Sequence, residues 1–185
     1  MIESYTLRNL YALSLLLLIV LTTLANGQVF KTQDEALGET FANADTVLRK
    51  TLFLENEGLQ KLQEMSHSKF TSSIITYYQG IKNDSIVGHA FFEDQIVRTK
   101  KAIIMVVVAP DHRVKQVEVL AFFEPQDYLP IEKWFELFEG KTLTEALLPG
   151  RQIHAITGAT LSVRAFTYAV RRALAIHEFL EKGNE

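Results

Sequence analysis

Residues 102–109 read Ala-Ile-Ile-Met-Val-Val-Val-Ala. The run is short, β-branched and apolar on both alternating faces, which is the pattern of a strand buried from both sides. A sheet with such a central strand needs a packing layer on each face. Working back along the chain, Ser73–Gln79 (SIITYYQ) and Ser85–Phe92 (SIVGHAFF) are two further β-rich runs. Gly80-Ile-Lys-Asn-Asp84 separates them as a hairpin loop. Working forward, Pro110-Asp111-His112 turns the chain into Val114–Phe123. There Val117, Val119 and Ala121 face one way, and Gln116 and Glu118 the other.

Helical spacing flanks this β-rich centre. Leu37, Phe41, Ala44, Leu48 and Leu52 recur at steps of three and four, which predicts a helix from Asp34 to Leu52. A second short helix is expected from Leu59 to about His67, after the Glu55-Asn-Glu-Gly58 break. Pro130 to Phe138 reads as a helix with proline in its first turn and Gly140 beyond its end. The last element runs from about Leu161 to Glu181, with Val163, Phe166, Val170, Ala173 or Leu174, His177 and Leu180 as its apolar stripe. The fold class is α+β: a single domain with a small, mostly antiparallel sheet packed by helices. The expected organisation is a leader over 1–27, a helical segment over 28–70 and the main domain over 71–181.

The leader reading rests on residues 10–25, LYALSLLLLIVLTTLA, preceded by the cation Arg8 and followed by Asn26-Gly27. This fits the apolar core of a signal peptide with small residues at Thr23 and Ala25. It also approaches the roughly 17–25 residues of a spanning helix, so a cleaved signal and a retained anchor both stand. Either way the bulk of the chain is expected outside the cytoplasm. The 185 residues are 48% hydrophobic and 22% charged with net charge −3, which excludes disorder as the main state and argues against nucleic-acid binding. The absence of cysteine removes disulfides, thiolate zinc and iron–sulfur sites, and a lipoprotein anchor.

Catalytic patterns are absent: there is no nucleophile elbow, phosphate-binding P-loop, dinucleotide fingerprint or zincin motif. No catalytic residue is assigned. The five histidines show no helical ligand pairing, so no metal site is assigned either, and His177 reads as a packing residue. One segment stands apart, Ile153-His-Ala-Ile-Thr157-Gly158-Ala159-Thr160-Leu161-Ser162. Its small residues and hydroxyls precede the last helix, where unpaired N–H groups and the helix dipole favour an anion. On the residues alone two readings stand: Thr160 or Ser162 caps the helix, or the turn cradles a phosphate with Gly158 and Ala159 admitting it closely.

Thr157-Gly-Ala-Thr160 resembles the S/T-G-A-T motif of the FMN-binding domain family, which includes flavin-carrying subunits of Rnf complexes and of the sodium-translocating NADH:quinone reductase. The resemblance covers roughly residues 73–176. Ile86-Val-Gly-His-Ala90 is similar to the family's V-G-Y-A strand, and Phe123–Pro130 stands where larger subunits carry an E-T-P-G segment. Trp134, Phe138 and Gly140-Lys141 are similar to the F-x-G-K ending. The resemblance implies FMN joined by a phosphoester to Thr160, with Thr157, Gly158, Ala159, Leu161, Ser162, Glu124 and Tyr128 around it. It implies maturation by an FMN transferase that uses FAD and Mg²⁺, and membrane redox proteins or a quinone-linked complex as partners. The family motif carries aspartate three residues before its first hydroxyl; here His154 holds that place. The function expected is an exported electron carrier rather than an enzyme with its own substrate. A noncovalent flavin module (a sensor or flavin reductase) and a cofactor-free periplasmic interaction domain are the alternatives.

Overall fold

A computed structural model describes residues 27–182. The apolar stretch at 10–25, and with it the signal or anchor expectation, lies outside the described residues. Among those described, no helix is long and apolar enough to cross a membrane.

Six antiparallel strands form one sheet: β1 (Gln28–Val29), β2 (Thr46–Phe53), β3 (Ile74–Lys82), β4 (Ser85–Ile96), β5 (Lys101–Val108) and β6 (Val114–Phe122), in the order β1-β6-β5-β4-β3-β2. The helices are α1 (Gln33–Thr40), α2 (Asn56–Ser66), the four-residue α3 (Glu132–Phe135) and the long α4 (Thr160–Lys182). The domain is α+β, as the alternation of patterns indicates.

β5 is the strand covered on both sides. Ala102, Ile104, Val106 and Val108 join the core beneath α4, together with Val163, Phe166, Val170 and Leu174. Met105 and Val107 join a smaller cluster under α1 with Ala36, Leu37 and Phe41. On β6, register shifts after Ile103 and Val107 of β5 break the two-residue alternation. Val114, Val117, Val119 and Phe122 therefore all reach the α4 side despite their mixed spacing. Ala121 pairs with Ile103, a residue of the α1 side, rather than continuing the Val117–Val119 face.

The predicted helix over 34–52 is the main correction. α1 stops at Thr40, and Thr46–Phe53 is an edge strand paired with β3 from Thr46↔Ile81 to Phe53↔Ile74. The 28–70 segment is thus part of the sheet rather than purely helical. A spacing of four satisfies a period of 3.6 and a period of 2 alike, so Leu48 and Leu52 share one side of a strand as readily as of a helix. The β-branched Thr46, Val47 and Thr51 favour the strand. Asp45 starts it, its N–H bonding to Ile81 O at 2.7 Å and its carboxylate accepting from Asn83 N at 2.7 Å. α1 begins with a capping box between Thr32 and Glu35.

On the α4 side of the sheet, a buried cation bonded to backbone carbonyls ties α4 to α2 and the 144–147 turn. Arg171, on α4, is 1% exposed. Its Nε and Nη2 donate to Ser66 O (2.8 Å) and Met65 O (3.1 Å) at the end of α2, and its Nη1 to Thr144 O (2.6 Å) and Leu147 O (3.2 Å). The C-terminal end of α2 carries partial negative charge, which offsets part of the cost of burying the guanidinium. Next to it, Arg172 meets Glu93 of β4 at 2.7 Å, and burial pushes the Glu93 carboxyl up against the pull of Arg172. Arg171→Met should lower stability by about 3 kcal/mol, since four carbonyls lose their donor. Arg171→Lys should recover only part of this, because an ammonium cannot span the fork. Urea unfolding of the three chains measures both.

Candidate functional site

The segment before α4 is positioned by contacts on three sides. Ile153 is fully buried, and its N–H bonds to Leu148 O at 3.4 Å. The Trp134 indole Nε1–H donates to His154 O at 3.0 Å, while the His154 side chain stays exposed. Trp134 is in turn stacked edgewise on Phe135 and Phe138, 5.0 and 5.2 Å between ring centroids. The chain then turns through Thr157-Gly158, where Gly158 has φ +88°, a left-handed value that favours glycine. The Ala159 N–H bonds to Ile156 O at 3.1 Å, and the Val163 N–H closes the first helical turn on Ala159 O at 3.0 Å.

The helix therefore opens at Thr160 with Ala159 as its cap position, and alanine has no oxygen to offer the first-turn amides. The nearby hydroxyls are turned to other tasks. Thr160 Oγ1 donates weakly to Ile156 O at 3.5 Å, and Ser162 Oγ donates to Tyr128 O. Among the described residues, no side chain caps the amides of Thr160, Leu161 and Ser162. This argues against the reading in which Thr160 or Ser162 exists to cap α4. Three donors at the positive end of a 23-residue helix stand ready for an anion.

An open cleft of about 330 Å³ lies over this turn, lined by Arg98, Tyr128, Gly158, Ala159, Thr160, Leu161 and Ser162. Thr160 and Leu161 are exposed and Ala159 is buried; the exposed Thr157 precedes the turn. Arg98 lies over the Tyr128 ring, 4.4 Å from Cζ to the centroid, which places a cation and an aromatic face opposite the Thr160 hydroxyl's turn. Arg98 is the residue whose importance the spacing alone underplayed: it sits in a loop between strands, away from the motif in sequence.

Glu124 does not line the cleft. It is 5% exposed and holds the 97–100 turn: Oε1 accepts from Thr99 N (2.6 Å), Lys100 N (2.8 Å) and Thr99 Oγ1 (3.1 Å). The Val97 N–H closes the same turn on Lys100 O at 3.1 Å. These donors, the Thr99 amide foremost, hold the Glu124 carboxyl below the usual carboxylate range. Its role here is to fix the turn that carries Arg98. Of the aromatic residues near the motif, Phe122 and Trp134 are buried core, and only Tyr128 faces the cleft. Arg164 points elsewhere, over the Tyr168 ring at 5.8 Å.

With this geometry in place, the comparison with known families is direct. Residues 99–175 match the family described as FMN-binding domain. This stretch is an FMN-binding domain. The match runs from the turn held by Glu124 through β5 and β6 to the middle of α4, and it includes every cleft residue except Arg98, one position before its start. No curated protein matches the chain. The match supports flavin binding by this stretch, and the cleft fits a phosphorylated flavin: uncapped amides, a nearby guanidinium and an aromatic face are what a phosphate and a ring require.

Glu124→Ala should free the 97–100 turn, lower stability by about 1–2 kcal/mol and reduce flavin content by releasing Arg98. Because the folded carboxyl is depressed, its stabilising effect is complete above the ordinary carboxylate range and is lost as pH falls through the depressed value. The difference in urea midpoint between Glu124→Ala and the parent chain should accordingly shrink toward zero on acidification.

Proposed function

We propose that this FMN-binding domain is an exported electron carrier whose FMN is joined through a phosphoester to Thr160 Oγ1. The observation that carries the reading is the exposed Thr160 hydroxyl in an uncapped first helical turn, beside Arg98 and Tyr128, inside the matched family span. Bound flavin supplies reversible electron transfer; the chain supplies its position and surroundings. The amides of the first turn and Arg98 bind the phosphate, Tyr128 flanks the ring, and Gly158 keeps the approach to the backbone free of a Cβ. Among the described residues lining the cleft, no carboxylate or imidazole stands beside the hydroxyl as a general base. That fits attachment by a separate transferase working from FAD with Mg²⁺. In that reaction a Thr160 Oγ–phosphorus bond forms, the pyrophosphate bond of FAD breaks, AMP leaves, and the hydroxyl proton is lost.

A tether independent of concentration suits a carrier outside the cytoplasm, where a dissociated cofactor would not be replaced. The apolar segment at 10–25 supports export, whether as a cleaved signal on the way to the periplasm or as an anchor on the periplasmic face of the inner membrane. The open cleft supports exchange of electrons with protein or quinone-linked membrane partners, because a flavin held by its lining residues would lie at the surface. Peptide mass spectrometry after co-expression with a flavin transferase tests the linkage. A gain of FMN less one water on the 152–164 peptide, absent in Thr160→Val, is the expected result. Flavin released by denaturation and still bound by Thr160→Val would establish the noncovalent module. A colourless chain of unchanged mass would leave a cofactor-free interaction domain, with His154 in the aspartate position as the point of failed recognition.

A further inference from the structure

The far end of α4 carries a polar cluster that the flavin reading does not use. His177 of α4 is fully buried and His89 of β4 is 1% exposed, and their Nδ1 atoms meet at 3.0 Å. Gln79 of β3 reaches His89 Nε2 at 3.0 Å. His112, on the exposed β5–β6 turn, stacks edgewise on His177 with centroids 4.9 Å apart. Glu181, one helical turn beyond His177, brings a carboxylate to the same place. At about 1.5 Å rise per residue, His177 lies about 25 Å along the helix from Thr160.

The hydrogen bonding of this cluster does not close on itself. If Gln79 donates its amide to His89 Nε2, then His89 Nδ1–H donates to His177 Nδ1, and His177 Nε2–H is left without an acceptor. If the amide is turned so that Gln79 accepts, the chain of donors reverses, and His177 Nε2 is left with an unused lone pair. In both arrangements the buried His177 Nε2 has no partner in the structure, and leaving a buried polar atom unpaired is costly. A buried polar atom of this kind calls for an explanation.

We propose that His89, His177 and Glu181 form a binding site for a divalent transition metal of the zinc class. One ligand atom from each of the three lies within 4.8 Å of the others, a spread that bonds of about 2.0–2.2 Å to a common ion can draw together. Two imidazoles and a carboxylate are the donor set of borderline ions such as Zn²⁺, with an open fourth position. Gln79 orients His89 from behind, as outer partners of metal-bound histidines do. Burial keeps both rings uncharged at neutral pH: it pushes His89 down to about 4, and, with His89 and His112 adding to it, His177 down to about 3. Neutral rings are the form that binds metal. Glu181 is half-exposed and His112 exposed, so the cluster has a route to solvent.

The test uses the untagged, EDTA-treated chain, so that no affinity-tag histidines compete. Zn²⁺ is added in competition with a chromogenic chelator, and metal and flavin contents are read on the same samples. One zinc per chain is expected, raising the Tm. Affinity should fall at least tenfold in His177→Gln and in Glu181→Gln, with the flavin on Thr160 unchanged in amount. Glu181→Gln alters a half-exposed helix residue, so it keeps the test decisive should His177→Gln fail to fold. Failure to retain zinc, or retention that Glu181→Gln leaves intact, would overturn the site. Either outcome is independent of flavin attachment, which is measured separately.

Discussion

A single buried guanidinium ties the domain together. Arg171 collects four backbone carbonyls from the end of α2 and the 144–147 turn, and so fixes how α4 lies against two segments distant in sequence. Met65 and Ser66 lie in the last turn of α2, where carbonyls have no partner within the helix. Once α4 is seated, its first turn is aimed at the loop carrying Arg98 and its last turns at β4. A rigid helix thus sets the position of both ends of the molecule.

The cleft follows from the same economy of polar partners. Ala159 gives the helix a start without a cap, and Ser162 spends its hydroxyl on Tyr128 rather than on the helix amides. Glu124 spends its charge on the 97–100 turn. The result is a set of donors with no acceptor of their own, beside the exposed Thr160. An anion meets there what the protein withholds from itself.

Much of this was legible from the residues. The continuous apolar run at 102–109 indicated a doubly covered strand, and the small, hydroxyl-rich turn before the last helix marked the cleft. The Asp34–Leu52 helix failed because steps of four do not separate a helix from a strand, and only pairing with β3 decides between them. Ala121 left its expected face because a bulge shifts the phase of β6, and bulges leave no mark in periodicity. Arg98 and Glu124 needed tertiary structure, since a turn between strands has no pattern that says which helix it will overhang. His177 read as core, and it is buried as core; its meeting with His89, 88 positions away in sequence, could not be read from spacing.

The strand order has a further meaning for how the chain assembles. From β2 to β6 every strand pairs with its neighbour in sequence, so five of the six strands can zip up through successive short closures. Each of these pairings closes a shorter loop than a pairing across the sheet would. The exception is β1, where Gln28 pairs with Phe122 across nearly the whole sheet-forming chain. That pairing closes a long loop for the sake of two residues, and it can form only after β6 exists. The amino-terminal edge is therefore the last part of the sheet to be completed, whatever emerges first from the machinery that makes it.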